Sequence, residues 1–589
     1  MRGLVLQPFA RFAPAKIVVL GMNVWIVSQP MSNLTSKLPR NQITRTAISE
    51  NRWFFLALIA LIIPPIYWLI AYVKAGWFPT GDEALIAIRM YDAWTGNWPL
   101  VGMRSTSTET DPNIMAYHPG PMQFYLFGLP YLLFGWTNLG LLAAGVIMLV
   151  FFVAIALWHG QKAAGIAGLT VIFASVVMLY GLFGSALILP WNPWPPVMGL
   201  LACFALAWRM LMGDSGLWPL FIFCVSFVGQ AHLGLLPIAV FLGMILLGQA
   251  LYRWYRHPQR LVRRSEVKWA LIVGVICWFG PIVNFLNYSP SNVVEIIRLS
   301  GSDKPPAGEP MEPLNHVTYV LFPWIGGPRA AGEISFFGVV VFVVALAILV
   351  ETTWRRRKQE EPEYGLEYAA YNGVALGVFG VLVTLWSANR TGGGLRVMFV
   401  DYMMAAPVFL WACIVLWVVA RLKALVPAIW IRNGQLVGVV AVAAAVTLAV
   451  IVPYSLQKQF VNQAYQLDID QSELVVDKLM PILAGKEFAK LPVAVEGHGL
   501  VSWAGIQPTV AQQLVVQGRR AYFSSPWPRP ADEDFRRAHN INGTFVDVYI
   551  EDVGPGEKPT RRKADEEFTV PMLNQEGGKL LVHVTISER

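Results

Sequence analysis

The chain has 589 residues, 55% of them hydrophobic and 14% charged, against about 25% charged in an ordinary soluble domain. That balance excludes a soluble globular protein. The formal charge of +8 does not point to nucleic acid, because Lys and Arg gather in short segments between apolar runs, where they set membrane topology.

Residues 1–52 read as a basic cytoplasmic extension; "IVVLGMNVWIV" at 17–27 is too short to span and lacks a cleavage site. A transmembrane region follows over 53–453. Eleven apolar runs are predicted to span, near 53–73, 138–158, 164–188, 195–212, 217–231, 233–252, 269–288, 334–351, 366–386, 398–419 and 434–453. The run 217–252 is too long for one helix and is divided at "GQAHLG", where Gln230 and His232 are poor lipid-facing residues. Cys203, Cys224, Cys277 and Cys413 all fall in these runs, so no disulfide framework is expected outside them.

Basic clusters fix the orientation. With the N-terminus in the cytoplasm, the extension, "RWYRHPQRLVRRSEVK" (253–268), "WRRRK" (354–358) and "RLK" (421–423) lie inside, with about 20 Lys and Arg among the inner segments. The two long loops on the other side, 74–137 and 289–333, carry six basic residues against ten acidic ones. An odd number of spans places residues 454–589 outside. There "LPVAVEG", "RRAYFS", "TFVDVYIED" and "KLLVHVTIS" read as strands, with helical stretches near 501–517 and 531–540. This is the pattern of a small soluble α/β domain.

The first outer loop holds the densest chemistry. "PTGDEALIAIRMYDAWTGNWP" (79–99) has helical periodicity from Asp82. Thr80 to Glu83 fits a capping box, and acids suit the first turn. Asp82 and Arg89 are seven apart and share a helix face, so a nearby cation and the helix dipole are expected to keep Asp82 ionised, as a base or metal ligand. The loop continues into "YHPGPMQFYLFGLPYLLFG" (117–135), expected to return to the membrane surface as a second amphipathic helix.

Asp82-Glu83, then Gly96, Trp98 and Pro99, then "HPGP" (118–121) and the aromatic run "FYLFGLPYLLFG" (124–135) stand in an order that resembles GT-C class membrane glycosyltransferases. The likeness is to protein O-mannosyltransferases and bacterial aminoarabinose transferases. "HPGP" stands where that class carries Lys-Pro-Pro, so His118 replaces a lysine expected to contact phosphate. The resemblance covers roughly 60 residues. It implies a mainly α, polytopic GT-C-like fold with juxtamembrane helices in loop 74–137, in a bacterial plasma membrane. It also implies transfer of a sugar from a polyprenyl-phosphate carrier to a glycan, lipid or protein acceptor on the outer face.

That reaction needs one carboxylate to accept the acceptor's hydroxyl proton, and fixed positive charge for the departing phosphate. The resemblance gives the first role to Asp82, with Glu83 as cap or supporting acceptor. For phosphate, Arg390 and Arg396 flank three glycines in "SANRTGGGLRVMF" (387–399), with Arg89 and His118 as competitors; snorkelling to headgroups is the plain alternative for the first two. Trp191 and Asn192 in "LPWNPWPP" (189–196) fit either an interfacial belt or a sugar contact, and Gln230 and His232 either an interhelical bond or that same contact. A divalent cation held by Asp82, His118 and His232 is conceivable, but no spacing selects a metal. "SDKPPAGEPMEP" (302–313) reads as a mobile outer segment that either covers the site or is inert. A flippase, transporter or polymerase partner for lipid-linked saccharides is the rival function; it should show internal repeats and midplane charge pairs, and neither is visible.

Overall fold

The structure is a computed structural model, and it describes residues 40–105, 113–256, 264–301, 336–357, 365–388, 402–425, 463–485, 487–524, 531–560, 563–573 and 578–589. The helices are α1 (Arg40–Lys74), α2 (Gly81–Thr95), α3 (Met122–Leu133), α4 (Asn138–Phe183), α5 (Pro195–Leu211), α6 (Trp218–Ala231), α7 (Leu236–Arg256), α8 (Arg264–Cys277) and α9 (Phe279–Asn287). They continue as α10 (Asn292–Gly301), α11 (Phe336–Arg357), α12 (Leu366–Ala388), α13 (Ala405–Leu425), α14 (Gln463–Leu483) and α15 (Gln507–Val516).

Among the described residues, six helices are long and apolar enough to cross a membrane, or seven with the bent α8–α9 pair, whose axes turn by 57°. The number is lower than the expected eleven for identifiable reasons. The expected span at 434–453 lies outside the described residues. The expected spans at 195–212 and 217–231 appear as α5 and α6, apolar helices of only 17 and 14 residues. Expected spans 138–158 and 164–188 form one run, α4, whose Ala164 (φ −143°) and Gly165 (φ +63°) are not helical. At 46 residues, a straight α4 would reach roughly 70 Å, more than twice a bilayer core. Instead it folds back at Gly165: a side chain on Gly168 would run into the Gly160 carbonyl, and one on Gly160 into Ile172. Those contacts require two antiparallel arms pressed together on small residues.

The division at "GQAHLG" is present. His232 is extended (φ −146°, ψ 125°) between α6 and a short 3-10 turn, Leu233–Leu235, that leads into α7. Gln230 is fully buried and donates to the Cys277 carbonyl at 2.7 Å. A polar residue at that depth is thus satisfied by the neighbouring helix.

Beyond α14 the chain forms a five-stranded sheet of β1 (Val493–His498), β2 (Ala521–Phe523), β3 (Val546–Val553), β4 (Glu566–Leu573) and β5 (Lys579–Glu588). The order is β2-β1-β3-β5-β4, parallel across β2-β1-β3 and antiparallel across β3-β5-β4. Helix α15 is the crossover that a parallel β1–β2 pair requires. Four strands coincide with the sequence reading. β4 was not expected there: it carries Pro571 and two leading glutamates, and occupies a sheet edge where a missing donor costs little. The expected helix at 531–540 is two 3-10 turns, Ala531–Arg536 and Ala538–Asn540.

Helix α2 is buried on two sides. Ile86, Ala87, Met90 and Ala93 join the core of the apolar helices, whereas Ile88 joins the sheet's core, with Leu85 and Tyr91 packed against it. That explains an "ALIAIRM" run too apolar all round for a surface helix.

Gly168→Ala should drive the arms of α4 apart and cost about 1–3 kcal/mol by overpacking. Unfolding in detergent, compared with wild type, checks this; an unchanged midpoint would mean the arms are not pressed together at Gly160.

Candidate functional site

Asp82 lies in the first turn of α2, which Thr80 precedes in an extended conformation. The Thr80 side chain makes no capping bond, so the expected capping box is not formed. Glu83 is buried, and its charge acts on Tyr72 of α1. The adjacent acids therefore face different surroundings, since successive helical residues point about 100° apart. Asp82 stays exposed by surface area and accepts a hydrogen bond from Trp191 Nε1 at 3.2 Å.

The expected electrostatics of Asp82 are corrected. Its pKa is raised, not lowered: desolvation by surrounding protein outweighs the Trp191 hydrogen bond and the positive charge of Arg104. The cation acting on it is Arg104, which pairs antiparallel with Tyr117 in an isolated bridge and which the sequence reading did not single out. Nothing in a lone loop arginine would have signalled it.

Arg89 faces elsewhere. It is buried, with Nη2 2.8 Å from Asp532 and 3.1 Å from the Val101 carbonyl, and Nη1 3.7 Å from Glu533. Two turns of helix separate it from Asp82 by about 10 Å along the axis, and the acids of residues 531–536 claim it. The structure thus gives Arg89 an ionic role between segments and does not present it for a phosphate.

His118, Asn192, Gln230 and His232 come together behind Asp82. His118 Nδ1 accepts from the Leu233 N–H at 2.9 Å, and its Nε2 lies 2.7 Å from the Asn192 side-chain amide. A neutral ring that accepts at Nδ1 carries its proton at Nε2, so the Asn192 atom facing it is assigned as the oxygen. His232 Nδ1 accepts from the Gly234 N–H at 3.2 Å. The two imidazole centroids are 4.7 Å apart, and Tyr402 lies 4.0 Å from His232. Gln230 accepts from the Met122 N–H at 3.3 Å and closes over Gly120, where a Cβ would collide with it. Burial drives the His118 pKa down to about 3, so the ring is neutral at physiological pH and supplies no charge.

No family model matches the chain, and no curated protein matches it. Among solved structures, ArnT from Cupriavidus metallidurans bound to undecaprenyl phosphate is similar at 11% identity, covering 90% of this chain and 98% of that chain, with a TM-score of 0.48. Arg390 and Arg396, with the glycines between them, lie outside the described residues, as does "SDKPPAGEPMEP". Among the described residues no group of three His, Cys, Asp or Glu side chains is placed to hold a metal. A separate hollow of about 400 Å³, lined by residues including Phe285, Tyr288, Ser291 and Arg298, contains none of the site residues named above.

Asp82, Trp191, Asn192 and His118 thus combine one accessible carboxylate, one indole donor and one neutral amide–imidazole pair. Such a set can accept a proton and orient hydroxyl groups without net positive charge. Trp191→Phe removes the hydrogen bond that favours the ionised carboxylate, so the pKa of Asp82 should rise further. In carboxyl-selective NMR or infrared titration of the full chain, its protonation should move to higher pH; a shift downward or none would deny the contact.

Proposed function

We propose that the protein is a membrane glycosyltransferase that moves a sugar from a polyprenyl-phosphate carrier to an acceptor hydroxyl at the outer membrane surface, with Asp82 as the general base. The single observation that carries the reading is the contrast within one helical turn: Asp82 is accessible and hydrogen-bonded by Trp191, while Glu83 is buried. The order of motifs in the first outer loop adds to it.

In the proposed step, the acceptor oxygen attacks the anomeric carbon as its proton passes to an Asp82 carboxylate oxygen. The bond between that carbon and the phosphate oxygen breaks, and its electron pair leaves with the lipid phosphate. A phosphate is a stable anion, so the step needs no general acid. A base works best when its pKa approaches the working pH, and the upward shift of Asp82 moves it in that direction. Trp191 steers the carboxylate, and Asn192, held by His118, offers its amide N–H groups to sugar or acceptor oxygens.

The departing phosphate takes its compensating charge from Arg104, whose charge already acts on Asp82, and from Arg390 and Arg396. His118 is a neutral donor in this scheme, and Arg89 has no part in it. The same orientation places residues 1–52 in the cytoplasm and 454–589 outside, within a bacterial plasma membrane.

The test is to incubate purified protein with polyprenyl-phosphate carriers of arabinofuranose, mannose, glucose and aminoarabinose, and to follow release of the lipid phosphate. Asp82→Asn should reduce turnover by about 10²–10⁴-fold, the size of a general-base contribution. Wild-type turnover in that variant would end the assignment. With the wild type, activity should rise with pH through an apparent pKa above the ordinary aspartate range, because the base must be ionised.

A further inference from the structure

Two short elements some 440 positions apart in sequence carry complementary charges. On α2, Arg89 and Asp92 are three apart, one turn on a common face. On the 3-10 turn Ala531–Arg536, Asp532 and Glu533 face Arg89 while Arg536 faces Asp92. Arg536 Nε donates to Asp92 Oδ2 at 2.8 Å, and its Nη2 donates to the other carboxylate oxygen, a bidentate pair with Asp92 wholly buried. The Asp532 carboxylate also accepts from the Leu100 N–H at 2.8 Å, tying in the segment that leaves α2.

A second contact lies at the start of α2. Gly81 is in left-handed backbone (φ +52°), and a Cβ there would stand 2.8 Å from the Ala504 carbonyl oxygen. Between these points Ile88 enters the sheet's core. On the far side Gln512 donates to Tyr131 of α3 at 3.1 Å.

We propose that the C-terminal segment is the positioning device for Asp82: the charge clamp of residues 532–536 on Arg89 and Asp92, with the Gly81–Ala504 contact, fixes the roll and depth of α2 so that the carboxylate meets Trp191. The proposal rests on the reading of Asp82 as base. Arg536 and Asp532 are positioning residues and touch no reacting atom. The Trp191–Asp82 hydrogen bond, at 3.2 Å, is at the long end of its range, so a small roll of α2 breaks it. Misplacement on the ångström scale costs a reaction about 100-fold.

The experiment uses the full chain and two unrelated perturbations. Asp92→Asn combined with Arg536→Gln removes both buried charges without stranding either; Gly81→Ala pushes the start of α2 from Ala504 and leaves the ion pairs intact, so it decides if the double variant fails to fold. Hydrogen exchange of the α2 backbone amides should accelerate about tenfold in either variant while the apolar helices keep their protection. With the carrier that wild type uses, kcat should fall about 10- to 100-fold, donor KM should stay within about twofold, and the rising limb of the pH profile should move to lower pH, because water reaching Asp82 relieves the desolvation that is the largest cause of its shift and outweighs loss of the Trp191 bond. Mere loss of folded protein scales kcat and leaves that limb in place. Unchanged α2 exchange, or a fall in kcat with an unmoved limb, overturns the proposal. If Asp82→Asn keeps full turnover, the functional reading fails and takes the positioning role with it; if Asp82→Asn is inactive and the clamp variants behave as wild type, only the clamp fails.

Discussion

The fold around the site depends on one pairing: two charges on the buried stretch of helix α2, each met by an opposite charge from the far end of the chain. Helix α2 buries Ile86, Ala87 and Met90 in one core and Ile88 in another. Arg89 and Asp92 fall between those apolar residues and cannot reach water. A buried ion left alone costs several kcal/mol, and breaking such a pair by deleting one partner typically costs about 3–5 kcal/mol. Apolar burial can press two layers together in many registers. The alternation of Arg89 and Asp92 against Asp532, Glu533 and Arg536 admits one, since a slip of one turn would set like charges opposite each other.

That register explains why adjacent carboxylates differ. Once the roll of α2 is fixed, Glu83 must point into protein beside Tyr72, and Asp82 must point toward the turn carrying Trp191. The upward shift of Asp82 follows from where the helix is held, because desolvation is its largest cause. A free surface helix with the same sequence would leave that carboxylate hydrated and near its ordinary pKa.

Hydropathy made the apolar helices legible, and polar residues in apolar runs marked real discontinuities. Gln230 and His232 identified the break between α6 and α7 because they need partners that lipid does not offer. Strands β1, β3 and β5 were legible from their β-branched content and β2 from its Tyr and Phe, while Pro571 and Glu566–Glu567 disguised edge strand β4. Asp82, His118, Trp191, Asn192, Gln230 and His232 were singled out from the sequence, and the fold places them in one region. The direction of the Asp82 shift and the cation acting on it were missed, because helical periodicity puts Arg89 on its face without saying what else competes for that arginine. Asp532 and Glu533, 443 and 444 residues later, win that competition. A contact so distant in sequence leaves no periodic trace, and the same holds for Arg104 beside Asp82.

The neutral histidines complete the electrostatic logic. A base with a raised pKa works only if nearby groups neither take its proton nor clamp its charge. His118 is held neutral by burial, and its Nδ1 is occupied by the Leu233 N–H. The Nδ1 of His232 is occupied in the same way by Gly234. Neither ring can accept a proton at that nitrogen without losing a backbone hydrogen bond, so the pair acts as a fixed donor array. With its proton on Nε2, His118 requires an acceptor there, so the Asn192 amide, placed with Nδ2 toward the ring, is assigned flipped, its oxygen inward and its N–H groups away from the ring. A lysine at position 118 would put a buried positive charge beside His232 and remove the acceptor that holds Leu233.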